Sequence, residues 1–93
     1  MNKPQKKDFS ILVVDDNKES LKVVSNFLKT EGYQIALSLN ANDALNILKE
    51  NKIDLILLDV MMPGIDGFTL CRMLKNNPRL DDIPVIFLTA KTE

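Results

Sequence analysis

Apolar residues in this chain form short runs that alternate with longer, helix-spaced stripes. Three runs are almost continuously aliphatic or β-branched, at residues 10–14, 53–58 and 84–89. This composition predicts strands that are buried on both faces, as in a parallel sheet covered by helices. Residues 34–39 alternate instead, with Ile35, Leu37 and Leu39 set against Gln34, Ala36 and Ser38. Period two predicts a strand with one face better buried than the other.

The stretches between the strands have helical spacing. Within residues 18–30, Leu21, Val24, Phe27 and Leu28 lie on one helical face, and Gly32 is predicted to be the C′ residue with positive φ. A second helix starts at the capping residues 40–43 and ends near Asn51. A third spans residues 66–76 and is stopped by Asn77-Pro78. Four strands alternating with three helices predict a parallel α/β sheet with right-handed crossovers.

Acidic residues follow two of the predicted strands. Asp15 and Asp16 come after the first strand, and Asp59 comes after the third. Ligands of open α/β sheets bind at the carboxyl ends of the strands, so these acids are candidate site residues. The alternatives are structural: Asp59 could simply end its strand, and Asp15-Asp16 could cap the following helix.

Three carboxylates in one crevice repel each other unless a cation is bound or some are protonated. Mg²⁺ is the cation that fits, because it prefers oxygen ligands and is held by one or two carboxylates together with water and phosphate oxygens. An aspartate beside such a metal can also act as a nucleophile toward a phosphoryl group. Thr89, at the end of the fourth strand, could hydrogen-bond a phosphoryl oxygen.

Composition narrows the remaining possibilities. The 93 residues suffice for one domain, and a net charge of −1 gives no reason to expect binding to nucleic acid or to a membrane surface. The chain has no histidine and a single cysteine, Cys71, which excludes imidazole ligands and an internal disulfide. Residues 1–9 read as a flexible leader. No apolar run is long enough for a signal peptide or membrane span, so a cytoplasmic location is expected.

The motifs resemble the receiver domain of two-component response regulators. The resemblance rests on Val13-Val14-Asp15-Asp16-Asn17, on residues 57–67 (LLDVMMPGIDG) and on residues 84–90 (PVIFLTA), and it covers nearly the whole chain from Ser10 onward. It implies a flavodoxin-like, doubly wound fold with its strands in the order 2-1-3-4.

The resemblance also implies roles for single residues. Asp59 would be the phosphoacceptor, Asp16 would bind Mg²⁺ directly, and Asp15 would bind it largely through water. The backbone carbonyl of Met61 would be a further ligand, and Thr89 would be the switch hydroxyl. A sensor histidine kinase would donate the phosphoryl group. The domain is then not an enzyme, beyond Mg²⁺-dependent transfer to itself and later hydrolysis.

The sequence departs from the family pattern after Thr89. Family members continue through a fourth helix, a fifth strand and a fifth helix, so residues 10–93 are expected to be a partial receiver domain. The fifth strand normally supplies a lysine that pairs with the phosphoryl group, and Lys91 is not at that position, so weakened phosphoryl transfer is expected. The fourth strand is expected to be a bare edge through which the chain dimerises or exchanges elements.

Three other functions are possible. The first is an interaction module that uses the receiver scaffold without being phosphorylated. The second is an aspartate-nucleophile phosphatase, which needs Asp-x-Asp where this chain has adjacent acids. The third is a dinucleotide-binding enzyme, which needs a Gly-x-Gly-x-x-Gly motif that does not follow the first strand.

Overall fold

The computed structural model describes residues 5–88, which form four strands and three α-helices. The strands are β1 (Ser10–Val14), β2 (Gln34–Ser38), β3 (Leu55–Asp59) and β4 (Val85–Leu88). The helices are α1 (Lys18–Thr30), α2 (Ala41–Glu50) and α3 (Gly67–Lys75). The predicted alternation is confirmed, and β3 begins two residues later than predicted and includes Asp59. Thr89 lies outside the described residues.

All strand pairs are parallel, in the order β2-β1-β3-β4, which confirms the predicted flavodoxin-like arrangement. One face of the sheet packs against α2 and α3 through a core that includes Leu12, Ile56, Leu58 and Leu70. The other face packs against α1 through Ile11, Val13 and Leu21. Helices on both faces explain why β1 is buried from Ile11 to Val14.

Each of the three α-helices begins at a side chain that accepts a hydrogen bond from a free backbone N–H. Asn17 Oδ1 accepts from the Ser20 N–H at 3.0 Å, and Asn40 Oδ1 accepts from the Asp43 N–H at 2.8 Å. Asp66 Oδ1 accepts from the Thr69 N–H at 2.8 Å. Since the cap of α1 is Asn17, Asp15 and Asp16 are free of the capping role that was their structural alternative. Gly32 has φ of 98°, as its position after α1 requires.

The most deeply buried residue of β2 is polar. Leu37 and Leu39 are 39% and 37% exposed, whereas Ser38 is only 1% exposed. The face carrying Ser38 lies toward the main core, and its hydroxyl donates to the Asn40 carbonyl at 2.7 Å. A hydroxyl whose hydrogen bond is satisfied can be buried at little cost.

Helix α1 leaves part of its own surface and of the sheet uncovered. Val23 and Phe27 on its outer side are 69% and 65% exposed. On the sheet face that α1 covers, Ile86 of β4 is 51% exposed, next to Leu57 of β3. Among the described strands, β4 is hydrogen-bonded to β3 alone.

The amino-terminal edge of the sheet is held by polar contacts. Asp54 Oδ2 accepts from the Ser10 N–H at 2.9 Å, while the Asp54 N–H donates to the Ser10 carbonyl at 2.8 Å. Lys52 Nζ lies 3.0 Å from Asp54 Oδ1. Of the predicted leader, residues 1–4 lie outside the described residues. Phe9 and Tyr33 stack edge to face at 5.8 Å, so the segment just before β1 contacts the rest of the fold.

Candidate functional site

The candidate site lies at the carboxyl ends of β1 and β3. These central strands pair up to Val14 and Leu58, so the next residues, Asp15 and Asp59, emerge side by side. Asp16 follows on the loop into α1. One carboxylate oxygen from each of the three aspartates lies within 4.8 Å of the others. The structure therefore brings together the three acids that the sequence predicted as a cluster.

The three carboxylates have different environments. Asp15 and Asp59 are 7% and 9% exposed, whereas Asp16 is exposed. Asp15 Oδ1 accepts from the Asn17 N–H at 2.9 Å, and Asp59 Oδ1 accepts from the Met61 N–H at 3.1 Å. Each buried carboxylate thus has one oxygen engaged by the backbone two residues later, and that bond fixes its direction.

Burial raises the pKa of Asp59 above its ordinary value of 3.8, and the neighbouring charge of Asp15 raises it further. The hydrogen bond from the Met61 N–H acts in the opposite direction, because it favours the ionised form. Neither of the two salt bridges among residues 5–88 involves these acids. The cluster is therefore electrostatically uncompensated by side chains within the described part of the chain.

The donor set fits a magnesium ion. Octahedral Mg²⁺ holds oxygens at about 2.1 Å, which places neighbouring ligand oxygens roughly 3 Å apart and opposite ones roughly 4 Å apart. Oxygens within 4.8 Å of each other match direct binding by some carboxylates and binding through water by another. The candidate ligand atoms are all oxygens. Oxygen ligands suit Mg²⁺, whereas zinc is bound more often by nitrogen and sulfur.

The loop after Asp59 is folded tightly against the strand. The Gly67 N–H donates to the Val60 carbonyl at 3.0 Å, so the start of α3 lies directly on the end of β3. A Cβ on Gly67 would come within 2.8 Å of the Val60 Cα and would overlap the Asp59 carbonyl oxygen. Gly64 has φ of 76°, which favours glycine. The two glycines let the chain turn back without displacing the acidic residues.

Apolar side chains form two further features at this edge. Phe68 and Phe87 stack at 5.0 Å between ring centres, which ties the start of α3 to β4. Met61 is 67% exposed, whereas Met62 is 8% exposed and joins the core. No local pattern indicates the Phe68–Phe87 contact, because it depends on how α3 crosses β4. The backbone carbonyl of Met61 was predicted as a ligand, and no contact of that atom tests the prediction.

Comparisons with known proteins agree with this geometry. The family model described as "Response regulator receiver domain" matches residues 11–93. "Response regulator PleD" of Caulobacter vibrioides is 44% identical over 80 residues, which is 86% of this chain and 18% of that protein. "Probable transcriptional regulator ycf27" of Cyanidium caldarium is 39% identical over 89 residues, which is 96% of this chain and 34% of that protein. The chain thus spans about a third or less of these two relatives.

Solved structures give the same result. The N-terminal domain of a response regulator receiver protein from Methanoculleus marisnigri JR1 has a TM-score of 0.87 and 36% identity, covering 91% of this chain and 69% of that one. The signal receiver domain of a signal transduction histidine kinase from Syntrophus aciditrophicus has a TM-score of 0.84 and 39% identity, covering 91% of this chain and 64% of that one. No helix within residues 5–88 has the length and apolar character needed to cross a membrane.

Proposed function

Since this chain belongs to the response-regulator receiver family, a group of signalling modules rather than enzymes, we propose that Asp59 is its phosphoacceptor. The observation that carries the proposal is the position of Asp59 at the end of a central strand, with the oxygens of Asp15 and Asp16 within 4.8 Å. The donor is the phosphohistidine of a sensor histidine kinase, and the reaction takes place in the cytoplasm.

In the proposed transfer, a carboxylate oxygen of Asp59 attacks the phosphorus atom. The P–O bond forms as the P–N bond of the phosphohistidine breaks, and the imidazole keeps the electron pair and takes up a proton. The Met61 N–H, 3.1 Å from Asp59 Oδ1, holds one oxygen and leaves the other for attack. Thr89, the residue after β4, is proposed to contact the phosphoryl oxygens through its hydroxyl.

Asp15, Asp16 and the backbone carbonyl of Met61 are proposed to hold Mg²⁺ with Asp59. A bound cation offsets the charge of the carboxylates and of the incoming phosphoryl group. It would also oppose the effects that raise the pKa of Asp59, namely its burial and then its interactions with Asp15. By holding that cation, Asp15 and Asp16 would keep Asp59 ionised as the nucleophile and would let the like-charged donor approach it.

Acetyl phosphate with Mg²⁺, followed by intact-mass measurement, tests this function. We expect one phosphoryl adduct in the unmodified chain, none in Asp59→Asn, and none when EDTA replaces Mg²⁺. Asp81→Asn, in an exposed loop, is the matched control and should keep the adduct. An adduct that persists in Asp59→Asn would assign the chemistry to another residue.

A second candidate function is association between copies of the chain, and it is favoured by the exposure of β4. Ile86 is 51% exposed on a strand with one hydrogen-bonded neighbour among those described, and Val23 and Phe27 extend the apolar surface on α1. Exposed edge strands pair with other chains. We propose that a polypeptide of these 93 residues dimerises through β4, by strand pairing or by exchange of elements.

Analytical ultracentrifugation separates this function from the first one. We expect a dimer at micromolar concentration and a shift to monomer in Ile86→Lys. Leu37→Lys is the matched control, since Leu37 is a half-exposed leucine on β2, at the opposite side of the sheet. A folded monomer at all concentrations would refute association while leaving the phosphoryl adduct untouched.

A further inference from the structure

A groove of about 540 Å³ separates α2 from α3 and the loop that follows α3. It has two walls and a floor. The α2 wall carries Asn42, Asn46 and Lys49, the opposite wall carries Met73, Asn77 and Arg79, and the floor is formed by Leu45, Leu48 and Leu80. The groove lies on the helices, away from the three aspartates, and none of the residues proposed for phosphoryl transfer lines it.

The charges in this groove have one sign. The chain has 13 acidic residues and a net charge of −1, yet the lining contains no aspartate or glutamate and two cations, Lys49 and Arg79. Neither cation takes part in the salt bridges found within residues 5–88. Two cations on a groove whose lining contains no acid favour an anionic occupant.

The hydrogen-bonding groups offered to an occupant are largely donors. Asn77 Oδ1 already accepts from the Arg79 backbone N–H at 2.9 Å, so Asn77 has its amide NH₂ to offer. Lysine and arginine side chains have donors only. An occupant that uses these groups must therefore be rich in acceptors, as carboxylates and phosphates are.

The remaining lining is apolar. Leu48 is 3% exposed and closes the bottom, while Met73 is 40% exposed on the rim. Methionine sulfur packs well against aromatic rings. The volume lies within the range of about 300–1,000 Å³ that is typical of small-molecule sites, which combine an apolar lining with a few polar groups.

We propose that the α2–α3 groove binds a small organic anion that has a planar apolar body and a phosphate or carboxylate group. The anionic group lies between Lys49 and Arg79, the planar body lies on the leucine floor beside Met73, and the asparagines contact its polar edge. Two classes of ligand have this chemistry, nucleoside monophosphates and aromatic carboxylates. The proposal does not rest on the function proposed for Asp59.

The test is an NMR titration of the ¹⁵N-labelled 93-residue chain with adenosine monophosphate, 2-naphthoate and inorganic phosphate in separate arms. Asparagine side-chain amides give their own resonances, so the groove reports directly. We expect saturable shifts of the Asn42, Asn46 and Asn77 amides with at least one organic anion, and affinity for inorganic phosphate at least about tenfold weaker. The arm that saturates at the lower concentration identifies the source of the ligand.

Lys49→Gln and Arg79→Gln should each weaken binding about tenfold, because each removes a charged hydrogen-bond donor. The matched controls are Lys29→Gln, which replaces the last-turn lysine of α1, and Arg72→Gln, which replaces the other arginine of the chain. Neither residue lines the groove, so both variants should bind as the unmodified chain does.

Three outcomes would overturn the proposal. The first is the lack of a saturable shift with either organic anion up to about 10 mM. The second is inorganic phosphate binding as tightly as the organic anions, which would show attraction to charge alone. The third is equal weakening in the control variants. None of these results would change the expected loss of the phosphoryl adduct in Asp59→Asn.

Discussion

The two ends of the sheet shift the pKa of an aspartate in opposite directions. At the amino end, the Ser10 N–H and then Lys52 lower the pKa of Asp54, since both favour its ionised form. At the carboxyl end, burial and the charge of Asp15 raise the pKa of Asp59. These aspartates lie just before and at the end of one strand. The sheet thus stabilises the ionised form of Asp54 and disfavours the ionised form of Asp59, which a bound cation would favour.

The largest expected loss of stability is for Gly67→Ala, which adds a methyl group where α3 lies against Asp59. Gly67→Ala places a methyl group against the backbone of Asp59 and Val60, so the strand end or the helix must move. We expect a loss of about 3 kcal/mol in the free energy of unfolding, measured by urea denaturation. Gly64→Ala is the control. It meets no atom within 4 Å and should cost only about 1 kcal/mol, for its positive φ. Equal losses would contradict the close packing.

Asp54→Ala removes the stabilising carboxylate at the opposite end. The Ser10 N–H loses its acceptor, and we expect the free energy of unfolding to fall by about 1–3 kcal/mol at neutral pH. Because the folded pKa of Asp54 is lowered, its contribution is complete above the ordinary value of 3.8 and is lost as pH falls through the folded pKa. The difference between the two chains should therefore shrink in acid. A difference that stays constant with pH would show that the charge is irrelevant.

Asp59→Asn should act in the other direction. It removes one of three clustered charges, so in EDTA at neutral pH we expect the melting temperature to rise by a few degrees. Mg²⁺ should raise the melting temperature of the unmodified chain more than that of the variant. Calorimetry with and without Mg²⁺ measures both effects. A lower melting temperature for Asp59→Asn in EDTA would show that the hydrogen bond from Met61 outweighs the repulsion.

The smallest effect is expected for Lys52→Gln. The Lys52 side chain is 88% exposed, and exposed ion pairs contribute little because water and salt screen them. We expect a change within about 0.5 kcal/mol, in a double-mutant cycle with Asp54→Ala. A larger coupling would make Lys52, rather than the Ser10 N–H, the main partner of Asp54.

The sequence was sufficient for the fold because its local signals agree with each other. Buried strands, capping residues such as Asn40 and Asp66, and the glycine after α1 all mark the same boundaries. The sequence also predicted that Asp15 and Asp59 lie close together, since the carboxyl ends of parallel strands meet at one edge of the sheet.

The features that the sequence did not predict depend on contacts between distant segments. The burial of Ser38 depends on the hydrogen bond from its hydroxyl to the Asn40 carbonyl, which a two-residue period does not predict. The bond between Asp54 and Ser10 joins positions 44 residues apart, so no local pattern announces it. The raised pKa of Asp59 requires knowing its burial as well as its neighbours.

The strand order β2-β1-β3-β4 also has a consequence for synthesis on the ribosome. β1 emerges first, and β2 and then β3 pair with its two sides, while β4 pairs with β3. Every strand after the first therefore pairs with a strand that has already been synthesised. No pairing has to be undone to admit a strand that is synthesised later. Growth outward from β1 shortens the time for which apolar strands lack partners, which is when nascent chains aggregate.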